Sequence, residues 1–205
     1  MHIAKTRRKI TVRKLNVILI ALVGWPLLTI AAGAQDTSAW CPEAPMTRLE
    51  ACETNVGTVI IKSYALIGTV SVKGATVSVR CKEDTDTSTG RKESGIAVVI
   101  TESDRPAETM LIDYDDLDSL LNAIDYLSKI DWSVTSLNGF DAVYTTTDGL
   151  RIAAFGSKRL GEIQFALRSV RLKFAPVRLS QTELAEFRNL IQQAKTKLES
   201  IRKEK

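Results

Sequence analysis

Within Thr109–Trp132, TMLIDYDDLDSLLNAIDYLSKIDW, the residues Leu117, Leu120, Leu121, Ile124 and Leu127 recur at three- and four-residue steps. That spacing predicts an amphipathic helix with one face to bury. Thr109–Ile112, just ahead, reads as a short strand. Asp113 stands at the N-cap position with Asp116 three residues on, the pattern of a capping box. Asp115 and Asp118 suit the positive end of the helix dipole. A second helix is announced by Ser180 and Glu183, an S-x-x-E capping box, and by Leu184, Phe187, Ile191, Ala194, Leu198 and Ile201 behind it. At 1.5 Å per residue it is a rod of roughly 33 Å. The two helices echo each other at an offset of 67 residues: Leu117, Leu120 and Ile124 fall on Leu184, Phe187 and Ile191, and upstream Ile96, Val98 and Ile100 fall on Ile163, Phe165 and Leu167. A pattern that runs through strands to a helix, twice, predicts an α+β fold. The expectation is a curved antiparallel sheet of about eight or nine strands in two halves, each half closed by an amphipathic helix.

The strand runs are marked by β-branched composition and by turn residues. NVGTVIIKS (Asn55–Ser63) and Ala65–Val72 read as strands, Lys73-Gly74 as a tight turn, Ala75–Cys81 as the return, and Glu93–Thr101 as a further strand. Lys82–Lys92, KEDTDTSTGRK, holds no apolar residue and is predicted to be a solvent-exposed loop. After the first helix, Trp132–Leu137, Phe140–Thr147 and Leu150–Phe155 are separated by Asn138-Gly139 and Asp148-Gly149, dipeptides that favour the type I′ hairpin turn. Glu162–Arg168 and the alternating Val170–Phe174 add a fourth strand and a fifth, with Pro176 ending the strand pattern before Ser180.

Compartment is read from the first 34 residues. Arg7, Arg8, Lys9, Arg13 and Lys14 precede an apolar run, Leu15–Ala32, broken by Gly24 and Pro26, and Ala32-Gly33-Ala34 offers small residues at a signal-peptidase site. The expectation is a signal peptide over 1–34, a poorly ordered lead-in over 35–54, a single domain over 55–205, and export to the periplasm or the exterior. A retained membrane anchor is the competing reading, since the run is near the roughly 18 apolar residues that mark a spanning helix; the A-x-A site and the helix breakers favour cleavage, leaving no membrane attachment. Cys41 follows Ser38-Ala39-Trp40 and lacks a lipobox. Six of the 28 basic residues lie in that leader, so the remaining 171 residues carry 22 basic against 24 acidic side chains, a net charge of −2. Such a balance argues against a nucleic-acid partner. The charge is nevertheless uneven: residues 35–150 hold 9 basic and 19 acidic residues, and residues 151–205 hold 13 and 5. Cys41 and Cys52 flank a proline-containing segment and can close a short disulfide loop in an oxidising compartment, while Cys81 ends a strand; the odd count leaves the pairing open.

The chemistry most sharply constrained is what the chain lacks. His2 is the only histidine and departs with the leader, which removes Ser-His-Asp and Cys-His catalysis and histidine-ligated zinc. There is no G-x-S-x-G, Gly-rich phosphate loop or C-x-x-C, and no cofactor is expected. Carboxylates remain. Asp113, Asp115, Asp116 and Asp118 are a candidate calcium or acid–base cluster, with helix capping as the plainer explanation, and Glu83, Asp84 and Asp86 are a second, weaker group. Tyr114, Tyr126, Trp132 and Tyr144, with Phe140, are candidate walls of a ligand pocket between sheet and helix, or simply core.

The segment LIDYDDLDSLLNAIDYLSKIDWSVTSLNGFDAVYTTTDGLRIAAFG, with the Ser180 box and final helix, resembles a family of exported bacterial proteins of unknown function. It covers most of residues 55–200 and brings no catalytic or binding residues with it. The repeated strands-then-helix order is also similar in topology to Whirly-like and PC4-like single-stranded-DNA-binding folds, without their basic aromatic face. The expected role is a non-catalytic exported module that binds a partner protein or a small-molecule ligand, with homo-oligomerisation through the charged end of the last helix, Lys195–Lys205. The rival roles are a carboxylate-dependent extracytoplasmic hydrolase and a nucleic-acid-binding module.

Overall fold

In a computed structural model, the described residues, 47–171 and 175–203, form two antiparallel four-stranded meanders and three helices. Helix α1 (Arg48–Glu53) leads into β1 (Ile60–Val72), β2 (Ala75–Asp86), β3 (Lys92–Glu102) and β4 (Glu108–Asp113), which pair in sequence order. A 3-10 turn at Tyr114–Asp116 opens α2 (Leu117–Ser128). The second meander is β5 (Gly139–Thr145), β6 (Leu150–Ser157), β7 (Glu162–Ser169) and β8 (Val177–Leu179), followed by α3 (Gln181–Lys203). The fold is therefore α+β, with the two-half order that the repeat predicts. Ile96, Val98 and Ile100 lie on β3, and their echoes Ile163, Phe165 and Leu167 on β7, each the third strand of its sheet.

The helices are exchanged between the halves. α2 follows the first sheet but packs on β5 and β6 of the second, whereas α3 follows the second sheet and lies chiefly along β1 and β2 of the first. One apolar cluster results, in which Leu120 and Ile124 of α2, Leu184, Phe187 and Ile191 of α3, and the inward rows of both sheets are all buried. Each of those large side chains contributes about 2 kcal/mol by leaving water. Because neither helix can be buried without the other half's sheet, the two halves are expected to unfold together.

Both helix stripes match the sequence pattern, and the second capping box forms in full. Ser180 Oγ accepts from the Glu183 amide at 3.2 Å, and Glu183 Oε2 accepts from the Ser180 amide at 2.6 Å. The first box does not form: neither Asp113 nor Asp116 makes a side-chain cap to its own helix. Other local expectations are also corrected. Asn55–Ser63 and Ala65–Val72 belong to one strand, β1, kinked by a bulge between Leu66 and Gly68. The polar stretch read as a loop from Lys82 is strand as far as Asp86, with Lys82, Asp84 and Asp86 buried. Trp132–Leu137 is not a strand. Asp131 accepts from the Ser133 amide (2.8 Å) and the Thr135 hydroxyl from the Leu137 amide (3.1 Å), so side chains satisfy the backbone groups a ladder needs. Asn138-Gly139 thus joins no hairpin.

Asp148-Gly149 does lie in the β5–β6 connection, but only Gly149 has positive φ (+86°), which excludes the type I′ turn; the loop is the longer Thr146–Gly149. β8 forms after Pro176, where the strand pattern was expected to have ended, and Leu172–Phe174 lie outside the described residues. Helix α1 lies within the stretch read as a poorly ordered lead-in; residues 1–46, which include the expected signal peptide, are outside the described residues. No helix among the described residues is long and apolar enough to cross a membrane.

Candidate functional site

The inward face of the first sheet is core, so chemistry has to come from its outward face. There the β2 residues Arg80, Lys82 and Asp84 stand in line, with Tyr64 and Leu66 beside them on β1 and Ala97 and Leu111 on β3 and β4. Helix α1 covers one end of this face. Leu49 packs on Ala97 and Leu111, in a space that exists because β3 carries Gly95: a Cβ there would lie 2.1 Å from the Ile112 carbonyl oxygen and 2.8 Å from Leu49 Cδ1.

Asp113, at the end of β4, holds the start of α1. Its Oδ2 accepts from the Arg48 amide at 2.8 Å and its Oδ1 from the Leu49 amide at 3.2 Å. The residue that the spacing places at one helix's N-cap therefore caps another helix, 64 residues upstream. The rest of the acidic run disperses. Asp115 pairs with Arg48 (2.8 Å), Asp118 with Lys195 (2.6 Å), and Asp116 accepts from the Thr147 hydroxyl at 3.5 Å. Asp86 is enclosed by the hydroxyls of Ser88 and Thr58, which hold its carboxyl below the usual range. Among the described residues no three carboxylate, thiol or imidazole side chains come together to hold a metal.

Two charge networks tie α1 down. In one, Lys82 Nζ lies 2.9 Å from both Glu53 Oε1 and Asp84 Oδ1, and Lys62 reaches Glu53 Oε2 at 2.5 Å. Burial pushes the fully enclosed Asp84 carboxyl up. Burial also opposes the charges on Lys82 and Glu53, but their partners outweigh it, raising the lysine and lowering the glutamate. In the other network Arg171 spans Glu50 (2.5 and 3.0 Å) and Asp148 Oδ1 (2.7 Å), and the Leu111 amide on the outer edge of β4 donates to Asp148 Oδ2. The guanidinium holds Glu50 below the usual range, while burial pushes Asp148 up. These networks leave a cleft of about 400 Å3 whose wall includes Glu53, Tyr64, Arg80, Lys82, Leu111 and Arg171. Arg80 differs from the other two cations there: it has no carboxylate partner among the described residues and lies 5.9 Å from the centre of the Tyr64 ring.

Tyr64 also marks the free edge of the sheet. Thr87 donates to the Val59 carbonyl (3.1 Å), and antiparallel alternation then directs Ile61, Ser63 and Ala65 toward β2 and the backbone groups of Ile60, Lys62, Tyr64 and Leu66 outward. β1 is hydrogen-bonded to a strand on one side only, although it also comes close to β8 of the second sheet. On the opposite face of this same edge is an apolar notch of about 170 Å3, walled by Ala65, Cys81, Leu198 and Ile201.

The aromatic residues singled out in the sequence are placed apart. Tyr114 lies under Arg202 (4.2 Å) with its hydroxyl 3.4 Å from Glu199, and Trp132 meets Phe140 edge to face at 5.6 Å. Tyr144 packs on the core, its hydroxyl pushed up by burial, and Tyr126 is exposed beside Lys129 and Ile130. Cys52 is half-buried on α1, Cys81 is buried with its thiol 3.4 Å from the Ala194 carbonyl, and the two are not joined; Cys41 lies outside the described residues. Of the residues around this cleft the sequence points only to Asp84, within the group Glu83, Asp84 and Asp86; Lys82, Asp148, Arg171, Arg80 and Tyr64 are not among its candidates. The alternation Arg80-Lys82-Asp84 is the signal that could have placed three of them on one strand face. Comparison with protein-family models, with curated proteins and with solved structures returns no match.

Proposed function

We propose that this chain is a non-catalytic binding module, exported as its leader predicts, which takes an extended segment of a partner protein as an added strand along β1. The observation that carries this reading is the clustering of exposed apolar residues. Of eleven large hydrophobic side chains exposed among the described residues, five (Val56, Val59, Ile61, Tyr64 and Leu66) fall in one eleven-residue stretch that includes the free edge. An uncovered strand of this kind is an interaction surface or an aggregation hazard, and folded proteins seldom keep one without use. Strand addition needs unpaired backbone groups for affinity and recesses on alternate sides for selectivity. The outward groups of Ile60, Lys62, Tyr64 and Leu66 supply the first. The apolar notch and the polar cleft, on opposite faces of the edge, supply the second. An apolar partner residue enters the notch beside Ala65 and Ile201, and an acidic one meets Arg80, the cation left without a carboxylate.

The hydrolase alternative gains no support from the acidic run, because both Asp113 oxygens are committed to amides of α1. The test is panning of a random peptide library on the purified domain, followed by affinities of the selected peptides for three variants. Tyr64→Pro removes an outward N–H and leaves the β1–β2 ladder intact, since proline is tolerated at the open side of an edge. The expected result is peptides alternating apolar and acidic residues, weakened at least tenfold by Tyr64→Pro and by Arg80→Gln and unaffected by Tyr126→Ala. Peptides indifferent to Tyr64→Pro, or none selected, would overturn the reading.

A further inference from the structure

The outward face of the second sheet carries a feature that folding does not explain. Arg151 on β6 and Arg168 on β7 are direct cross-strand partners on that face. Like charges opposed in this way destabilise a sheet, because their Cβ atoms are only about 5 Å apart. Neither guanidinium has an ion-pair partner among the described residues, so no ion pair among them offsets the repulsion. One row further along the strands the pair is Ala153 and Ala166, and the row after that brings Phe155. Alanine has poor strand propensity and no side chain to stack on a pleated surface. Here two of them make the floor of a trough of about 170 Å3, bounded by Arg151, Arg168, Phe155, Pro176 and Asp141.

We infer that this trough is a binding site for a small organic phosphate ester, with the two guanidiniums clamping the phosphate and the apolar body lying over the alanines against Phe155. A tetrahedral dianion presents enough oxygens for both forks at once, and paired arginines favour it over a monovalent carboxylate. Asp141, two rows from the arginine pair, accepts a hydrogen bond from a hydroxyl or amine at the far end of the ligand. Arg178 does not join the clamp: it hydrogen-bonds Gln164 at 2.6 Å and rests over the Phe155 ring at 5.9 Å, bracing that ring as the end wall. The site lies on the second sheet, shares no lining residue with the β1 edge, and is independent of the strand-binding reading.

The probes are inorganic phosphate and phenyl phosphate, titrated by calorimetry and by the NMR shifts of the arginine Nε–H groups in the intact domain. Phenyl phosphate is expected to bind more tightly than inorganic phosphate and to shift Arg151 and Arg168 together. Arg151→Gln and Arg168→Gln should each weaken both probes at least tenfold, while relieving the repulsion and raising the melting temperature. Ala153→Leu fills the trough on an exposed face, and should weaken phenyl phosphate while sparing inorganic phosphate. Binding that survives both arginine variants would overturn the assignment. So would an oligothymidylate binding where phenyl phosphate does not, which would make the face a polyanion track.

Discussion

Replacing Asp113 by alanine separates a clamp from a local helix cap. Its two oxygens accept from the Arg48 and Leu49 amides at 2.8 and 3.2 Å, inside a site where the side chain is nearly buried. A hydrogen bond to a charged group contributes about 1.5–3 kcal/mol, and losing a cap costs about 1 kcal/mol. The loss expected from two such bonds is about 3 kcal/mol, reduced because Thr47 Oγ1 still accepts from the Glu50 amide at 3.1 Å. Against this stands the burial of Leu49, about 2 kcal/mol. With Leu49 and the charge networks at Glu50 and Glu53 still in place, α1 stays docked but should open far more often while the core stays folded. Hydrogen exchange reads this directly. The Ala51 and Thr54 amides, bonded to Thr47 and Glu50 at 2.9 and 3.0 Å, should lose about two decades of protection, while amides of β2 and α3 keep theirs. Asp113→Asn, which retains one acceptor oxygen, should lose about half as much on the free-energy scale. Unchanged protection in α1, or loss spread over α2, would refute the clamp and restore the local N-cap.

Three further outcomes follow from the same structure. Truncating Phe187, fully buried where α3 meets both halves, should cost about 3–5 kcal/mol in urea unfolding as one transition; two transitions would contradict the exchange of helices. Lys82→Met leaves Asp84 enclosed without its cation and should cost about 3–5 kcal/mol, most of it recovered in Lys82→Met/Asp84→Asn; additive losses would show that the pair is not coupled. Glu108 is buried with Oε1 unpartnered, near Glu102 and Arg105, and burial raises its pKa. With the folded value above the unfolded one, the ionised form weakens the fold at neutral pH, and protonation relieves it as pH falls through the folded value. Glu108→Gln should therefore stabilise at pH 7.5 and gain less at pH 4.5; an equal gain at both would sink the burial account.

The residues themselves show why some of this was legible and some not. The stripes Leu117–Leu127 and Leu184–Leu198 could be read because burial against any sheet demands that spacing. The fold class and the two-half order rest on these stripes and on the echo between β3 and β7. Lys82, Asp84 and Asp86 defeated the reading because a polar run says loop, unless partners arrive from elsewhere. Glu53 on α1, and Asn55 and Thr58 ahead of β1, are those partners, about thirty residues upstream. Asp113 had the right spacing for a cap but the wrong helix to cap. Trp132–Leu137 had strand composition, yet the Asp131 and Thr135 side chains bound its amides first. The β1 edge was invisible for another reason: which strand is left unpaired is a property of the assembled sheet.

Amide exchange along β1, residue by residue by NMR with a library-selected peptide bound, tests strand addition most directly. The account predicts new protection at Lys62, Tyr64 and Leu66, whose amides face outward, with little change at Ile61, Ser63 and Ala65, which already face β2. Protection that ignores this alternation, or that appears elsewhere while β1 stays open, would contradict it.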